Sequence, residues 1–153
     1  VSKNPKLRKL LGINAIIRDR IKVEGVRLMD GFLLGGIREF ILDELISTSA
    51  WLDHAIYHMD GIEQIRHLDD ILQISSIHMI QWVQVDGQPD AIACLPTLKK
   101  IQAAGKGLVI CIGKEQVRPL LENLSPKGLN LLVGDAKDPD EADRIVKLAE
   151  DYT

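Results

Sequence analysis

The sequence predicts an α/β protein assembled from parallel βα units, and three observations carry that prediction. From residue 54 onward, short apolar runs rich in β-branched residues alternate with stretches of helical periodicity. Each apolar run closes on a turn marked by glycine, aspartate or amide side chains. The run centres fall near residues 57, 81, 110 and 131, leaving room for a crossover helix between neighbours. Strands joined by such helices run parallel, with right-handed crossovers.

Residues 1 to 50 read as mainly helical. Asn4 to Leu11 fits a short helix. Ile13 to Met29 is loosely helical, with apolar residues at Ile13, Ile16, Ile17, Ile21, Val26 and Met29. Gly31, Gly35 and Gly36 read as a break. Ile37 to Leu52 carries the strongest helical pattern of the chain, through Ile37, Phe40, Ile41, Leu45, Ile46 and Leu52. No strand is expected in this stretch.

Four βα units follow over residues 54 to 153, within a single domain spanning residues 1 to 153. The first strand, Ala55 to Met59, ends at Asp60-Gly61. Its helix has Ile62, Ile65, Leu68, Ile71 and Leu72 at spacings of three or four. The second strand, Met79 to Val83, leads into Gln84-Val85-Asp86-Gly87-Gln88-Pro89. Its helix spans about Ala91 to Ala104, with Pro96 near the first turn and Gly105 as the stop. The third strand, Leu108 to Ile112, closes on Gly113 and precedes a helix from Lys114 to Leu124 that Pro119 distorts. The fourth strand, Leu129 to Val133, ends at Gly134-Asp135. The last helix runs from Pro139 to Asp151, with Asp138 as N-cap and Asp140 and Glu141 at its positive end.

Composition narrows the function class. With 46% hydrophobic and 27% charged residues in 153, the chain has enough apolar surface for one sizeable core, which excludes disorder as its main state. No apolar run approaches the roughly 18 residues of a membrane span. Cys94 and Cys111 cannot make a disulfide framework, and without an export signal a reducing cytoplasm is expected. The first residue is valine, so the chain is expected to be processed at its start or to be a piece of something longer. Net charge is −3. Residues 1 to 30 hold eight basic and three acidic residues, a net of +5 that reads as a solvated helical face; no nucleic-acid or membrane partner is expected.

In α/β proteins chemistry gathers where parallel strands end. His58 and Asp60 are two apart, so they leave one face of the first strand together. Imidazole and carboxylate side by side can bind a metal or run acid–base chemistry, or they can simply hydrogen-bond. His54 and His58 have a zinc-like H-x-x-x-H spacing, but that geometry belongs to a helix. Gln81, Trp82 and Gln84 end the second strand, where an indole flanked by amides can stack on a ligand; the indole can equally pack in the core. Gly105-Lys106-Gly107 opens a strand, the wrong end to cradle phosphate. Cys111 reads as buried packing.

The segments "WLDHAIYHMDG", "IRHLDDILQI", "IQWVQVDGQP", "LKKIQAAGKGLVI" and "EADRIVKLAEDYT" resemble, in order, the C-terminal half of the uroporphyrinogen decarboxylase superfamily, nearest its cobalamin-dependent methyltransferase-like branch. The resemblance covers about Ile37 to Thr153. It implies a TIM barrel of more than twice this length, of which this chain supplies roughly the last four βα units. In the methyltransferases zinc activates a thiol for methyl transfer with a corrinoid protein. Its ligands are an H-x-C motif and a later cysteine. The H-x-C position here is His58-Met59-Asp60, and the later cysteine falls at Ala136 or Lys137. The resemblance thus leaves His58, Asp60 and Asp135 as an oxygen-rich metal set in place of a thiolate one.

The expectation is a partial, half-TIM-barrel sheet with N-terminal helices; an open flavodoxin-like sheet is the alternative. Its function is that of a truncated or degenerate relative without catalysis of its own, binding a small molecule at the strand C-terminal ends. The alternative is a corrinoid-linked methyltransferase-like enzyme, completed by oligomerisation or by a further half. A half-barrel leaves its inner sheet face bare, so Ile56, Ile80, Ile110 and Leu131, or their alternating neighbours, would face water, and a homodimer is expected.

Overall fold

The computed structural model describes Ile21–Glu24 and residues 42–152. Five parallel strands form one sheet: β1 (Ile21–Glu24), β2 (His54–Asp60), β3 (Ile77–Val83), β4 (Gly107–Ile112) and β5 (Leu129–Val133). They lie side by side in chain order. Every neighbouring pair is parallel. An open doubly wound sheet reverses its strand order at a switch point; no reversal occurs among these strands.

β1 corrects the expected helix over residues 13 to 29. Ile21-Lys22-Val23-Glu24 alternates apolar and charged residues, and pairing from Ile21 opposite His54 to Glu24 opposite Tyr57 fixes it as a strand. Local helical spacing was a weak guide because a sheet edge supplies hydrogen bonds that no isolated segment has. The other helices expected before residue 42 lie outside the described residues, as does most of the basic segment. The helix expected from Ile37 is described as α1 (Leu42–Ser49).

The crossovers follow the expected units in tighter form. After β2 the chain makes a 3₁₀ stretch (Ile62–His67) and then α2 (Leu68–Leu72). α3 (Leu95–Ala103) starts later than expected, because Pro96 is pre-set for a first turn. A short 3₁₀ turn (Lys114–Gln116) and α4 (Val117–Asn123) follow β4. α5 (Pro139–Glu150) begins where expected: the Asp138 carboxylate accepts the Glu141 N–H at 2.7 Å.

The core fills one face of the sheet. Tyr57, Met59, Ile80, Trp82, Leu108 and Ile110 pack there against Leu68, Ile71, Leu98, Ile101, Val117 and Leu120. Ile80 and Ile110 therefore face the helices, and Leu131 packs against the same cluster. Of the two alternatives expected for the bare face, the alternating neighbours hold for these three strands, and Ile56 holds for β2. The side-chain period of two is fixed, so one residue per strand, once its register is known, settles the face of the whole strand.

The opposite face carries the alternating residues, and strand register sorts them into levels. Ile56 pairs with Met79, and Met79 with Gly107. The next level is His58, Gln81, Val109 and Asn130. Nearest the strand C-termini, Asp60 pairs with Val83 and Cys111 with Leu132. Apart from buried Val109 and exposed Leu132, these residues are half-buried. Gly107 is small for a reason: a Cβ there would come within 2.9 Å of the Met79 side chain and 3.0 Å of the Gly128 carbonyl oxygen.

Candidate functional site

Three adjacent strands bring His58, Gln81 and Cys111 onto one face. His58 Nδ1 lies 3.0 Å from Gln81 Oε1. The other end of the same amide, Gln81 Nε2, donates to Cys111 Sγ at 3.9 Å. The amide is thus held at both ends, with its orientation set by an imidazole on one side and a thiol on the other. Because Gln81 Oε1 can only accept, His58 Nδ1 carries the proton of this hydrogen bond.

Cys111 is the site residue that sequence reading missed. β4 is a continuous apolar run, Leu108 to Ile112, and such a run hides which residues face outward. Alternation counted from fully buried Ile110 places Cys111 on the open face, and it is half-buried there. Cys94, by contrast, is buried before α3, and burial, with Asp90 nearby, pushes its thiol up, away from reactivity.

Cys111 opens into a groove of about 640 Å³ at the C-terminal ends of β3, β4 and β5. Val83, Gln84, Asp86, Gly113, Leu132 and Gly134 line it with Cys111. Gln84 reaches back through its Nε2 to the Gln88 carbonyl at 3.3 Å, which folds the β3 loop over on itself. Gln88 Oε1 in turn accepts the Ile62 N–H at 2.8 Å. Gly61 donates its own N–H to the Val83 carbonyl at 3.1 Å, so the loops after β2 and β3 are tied together. On the other flank the Asp135 carboxylate accepts the Lys114 N–H at 2.9 Å, and Lys114 Nζ pairs with Glu141 at 2.9 Å. That pairing holds the Lys114 ammonium above, and the Glu141 carboxyl below, their ordinary values. The rim is therefore fixed on both sides before any ligand arrives.

The expected residues divide accordingly. His58, Asp60, Gln81 and Gln84 lie on the open face or its rim. Trp82 does not: it is 1% exposed and packs in the core on the helix side, so it cannot stack on a ligand that Gln81 contacts. The reason is again the alternation, which sends neighbours 81 and 82 to opposite faces. His54 begins β2 and packs edge-on to His78 with ring centres 5.7 Å apart, rather than joining His58. Lys106 sits at the far end of the sheet, its ammonium spent on the carbonyls of Ile74 and Ile77 at 2.7 and 2.6 Å.

Zinc held as in the methyltransferases does not fit these residues. Among the described residues no three His, Cys, Asp or Glu side chains gather into a metal-binding group. His58 and Asp60 lie on β2, whereas Asp135 follows β5, three strand positions away, or roughly 14 Å along a sheet. Asp135 is also engaged with the Lys114 amide. No helix among the described residues is long and apolar enough to cross a membrane. Comparison with models of protein families, with curated proteins and with solved structures finds no match to this chain.

Proposed function

We propose that this chain is the βα portion of a barrel related to the uroporphyrinogen decarboxylase and methyltransferase-like superfamily, binding a small molecule at its strand C-termini without catalysis of its own. One observation carries the reading: parallel strands in strict chain order, with the core on one face and the His58–Gln81–Cys111 chain on the other, ending in a groove. A sheet of that order curls into a barrel whose inner face is the open one, with the working end at the strand C-termini. Both thiolate positions of the methyltransferases hold other residues, Asp60 at one and Ala136 or Lys137 at the other, which favours binding over methyl transfer. Neither corrinoid nor zinc is needed for this role.

The test is amide-resolved NMR of the labelled full chain against a panel of small aromatic and thiol compounds. Shifts gathered at Val83, Cys111, Gly113 and Gly134 are the expected result. Shifts gathered at Lys106 and Gly107, or none with any compound, overturn the reading.

A further inference from the structure

We infer that the groove at the ends of β3, β4 and β5 selects cationic amphipathic molecules, an amine on a compact apolar body, over carboxylates and phosphates. This rests on the small-molecule reading above and adds the chemistry of the ligand.

The lining sets the sign. Asp86 is the one charged residue among those that bound the groove, and it is exposed, with no hydrogen-bond or ion-pair partner among the described residues. Its carboxylate is therefore available to a ligand. The apolar part comes from Val83 and Leu132, with Leu132 37% exposed, while Ile112, Leu131 and Val133 bound the groove from the strands and turn their side chains to the core. Gln84 and Cys111 supply neutral polar contacts between the two.

The lysine that follows the lining does not offset Asp86. Lys114 follows the lining residue Gly113, but its ammonium is committed to Glu141 at 2.9 Å, with Asp135 and Glu115 also acting on it. Glu141, Asp135 and Glu115 stand there against Lys114 and Lys137, which leaves that flank one negative charge in excess. A polycarboxylate entering here would meet Asp86 with no lysine or arginine in the lining to receive it. An ammonium would meet Asp86 directly while its apolar body covers Leu132.

Matched probes separate the charge claim from the groove claim. Phenethylamine, 2-phenylethanol and 3-phenylpropanoate share an apolar body and differ in charge. Each is titrated into the labelled chain while the Cys111, Gly113 and Gly134 amides are followed. The amine is expected to bind about three- to five-fold more tightly than the carboxylate, the range of one exposed ion pair, with the alcohol between them. Asp86→Asn should bring amine and carboxylate within about two-fold and leave the alcohol unchanged, and salt near 1 M should do the same to the wild type. A carboxylate that binds as tightly as the amine overturns the charge selection while the groove stands. A preference that survives in Asp86→Asn also overturns it. No shift with any of the three overturns the groove reading and this inference with it.

Discussion

Gly61 holds the β2 loop in a conformation open to no other residue. Its φ of 80° and ψ of 171° lie in a region that is essentially glycine's alone. A Cβ there would sit 2.7 Å from Gln88 Oε1, the atom that accepts the Ile62 N–H. Gly61→Ala should therefore lower stability by about 2 kcal/mol, from backbone strain and a broken loop tie together. Urea unfolding measures it. Gln88→Ala should lose about 1 kcal/mol, and the double variant less than the sum, since both act on one hydrogen bond. His67 is a second residue with a measurable signature. It is 3% exposed, its Nδ1 has no partner among the described residues, and burial, assisted by Arg66 and opposed by Asp70, holds its pKa below the usual 6.5. A lowered folded value means the neutral ring is the stable one. Its contribution is complete above pH 6.5 and is lost as pH falls through the folded value. Unfolding between pH 7.5 and pH 5 should show falling stability, and His67→Gln should flatten that slope. An unchanged slope in the variant would refute the assignment. At this scale the sequence was half legible. His58, Asp60 and Gln81 stand at a visible strand end, but Trp82 was left between a ligand and the core, and Cys111 was placed on the wrong face. Residue type alone does not tell which way a strand residue points; only register with its neighbours does.

Among the elements, α5 is the one whose place depends most on polar ties. None of its residues is fully buried, though Ile145, Leu148 and Ala149 lean on the core. Glu141 does two jobs there: one oxygen accepts from Lys114 Nζ, the other from the Lys137 N–H at 2.7 Å. Its carboxyl is held below the usual 4.5, first by the Lys114 hydrogen bond and then by the Lys137 amide. A lowered carboxyl gives stability that is present above pH 4.5 and lost as pH falls through the folded value. Glu141→Gln should accordingly lower Tm at pH 7, with the gap to wild type closing as the pH drops below 4.5. Faster hydrogen exchange at the Lys114 and Lys137 amides in the variant would locate the loss at this junction. The start of α5 was legible because an aspartate N-cap followed by proline is a local signal. The 3₁₀ stretches were not: helical spacing marks both kinds of turn, and the difference is set by how tightly the chain must leave the strand.

For the whole molecule, the parallel α/β class was legible because each strand is a compact apolar run and each crossover has its own helical period. β1 was not, since a four-residue edge strand carries too few residues for a pattern. The open face frames the last prediction. Ile56, Met79, Val83 and Leu132 lie along it, and β1 and β5 end the sheet on either side among the described residues. We expect a second copy to pair with an edge strand and leave the groove at the strand C-termini open, giving a homodimer of C2 symmetry. Sedimentation at micromolar concentration is the check, and a compact monomer with no concentration dependence would refute it.

The strict chain order of the strands also governs how damage spreads. Each strand touches only its predecessor and its successor, as in a stack of repeats, so interaction energy passes from unit to unit along one dimension. A fault in β5 removes one boundary and leaves the others whole. A fault in β3 cuts the stack in two, separating β1 and β2 from β4 and β5. The same arithmetic favours assembly during synthesis: as each βα unit emerges, the strand it must join has already been made, and no later segment has to return to an earlier place.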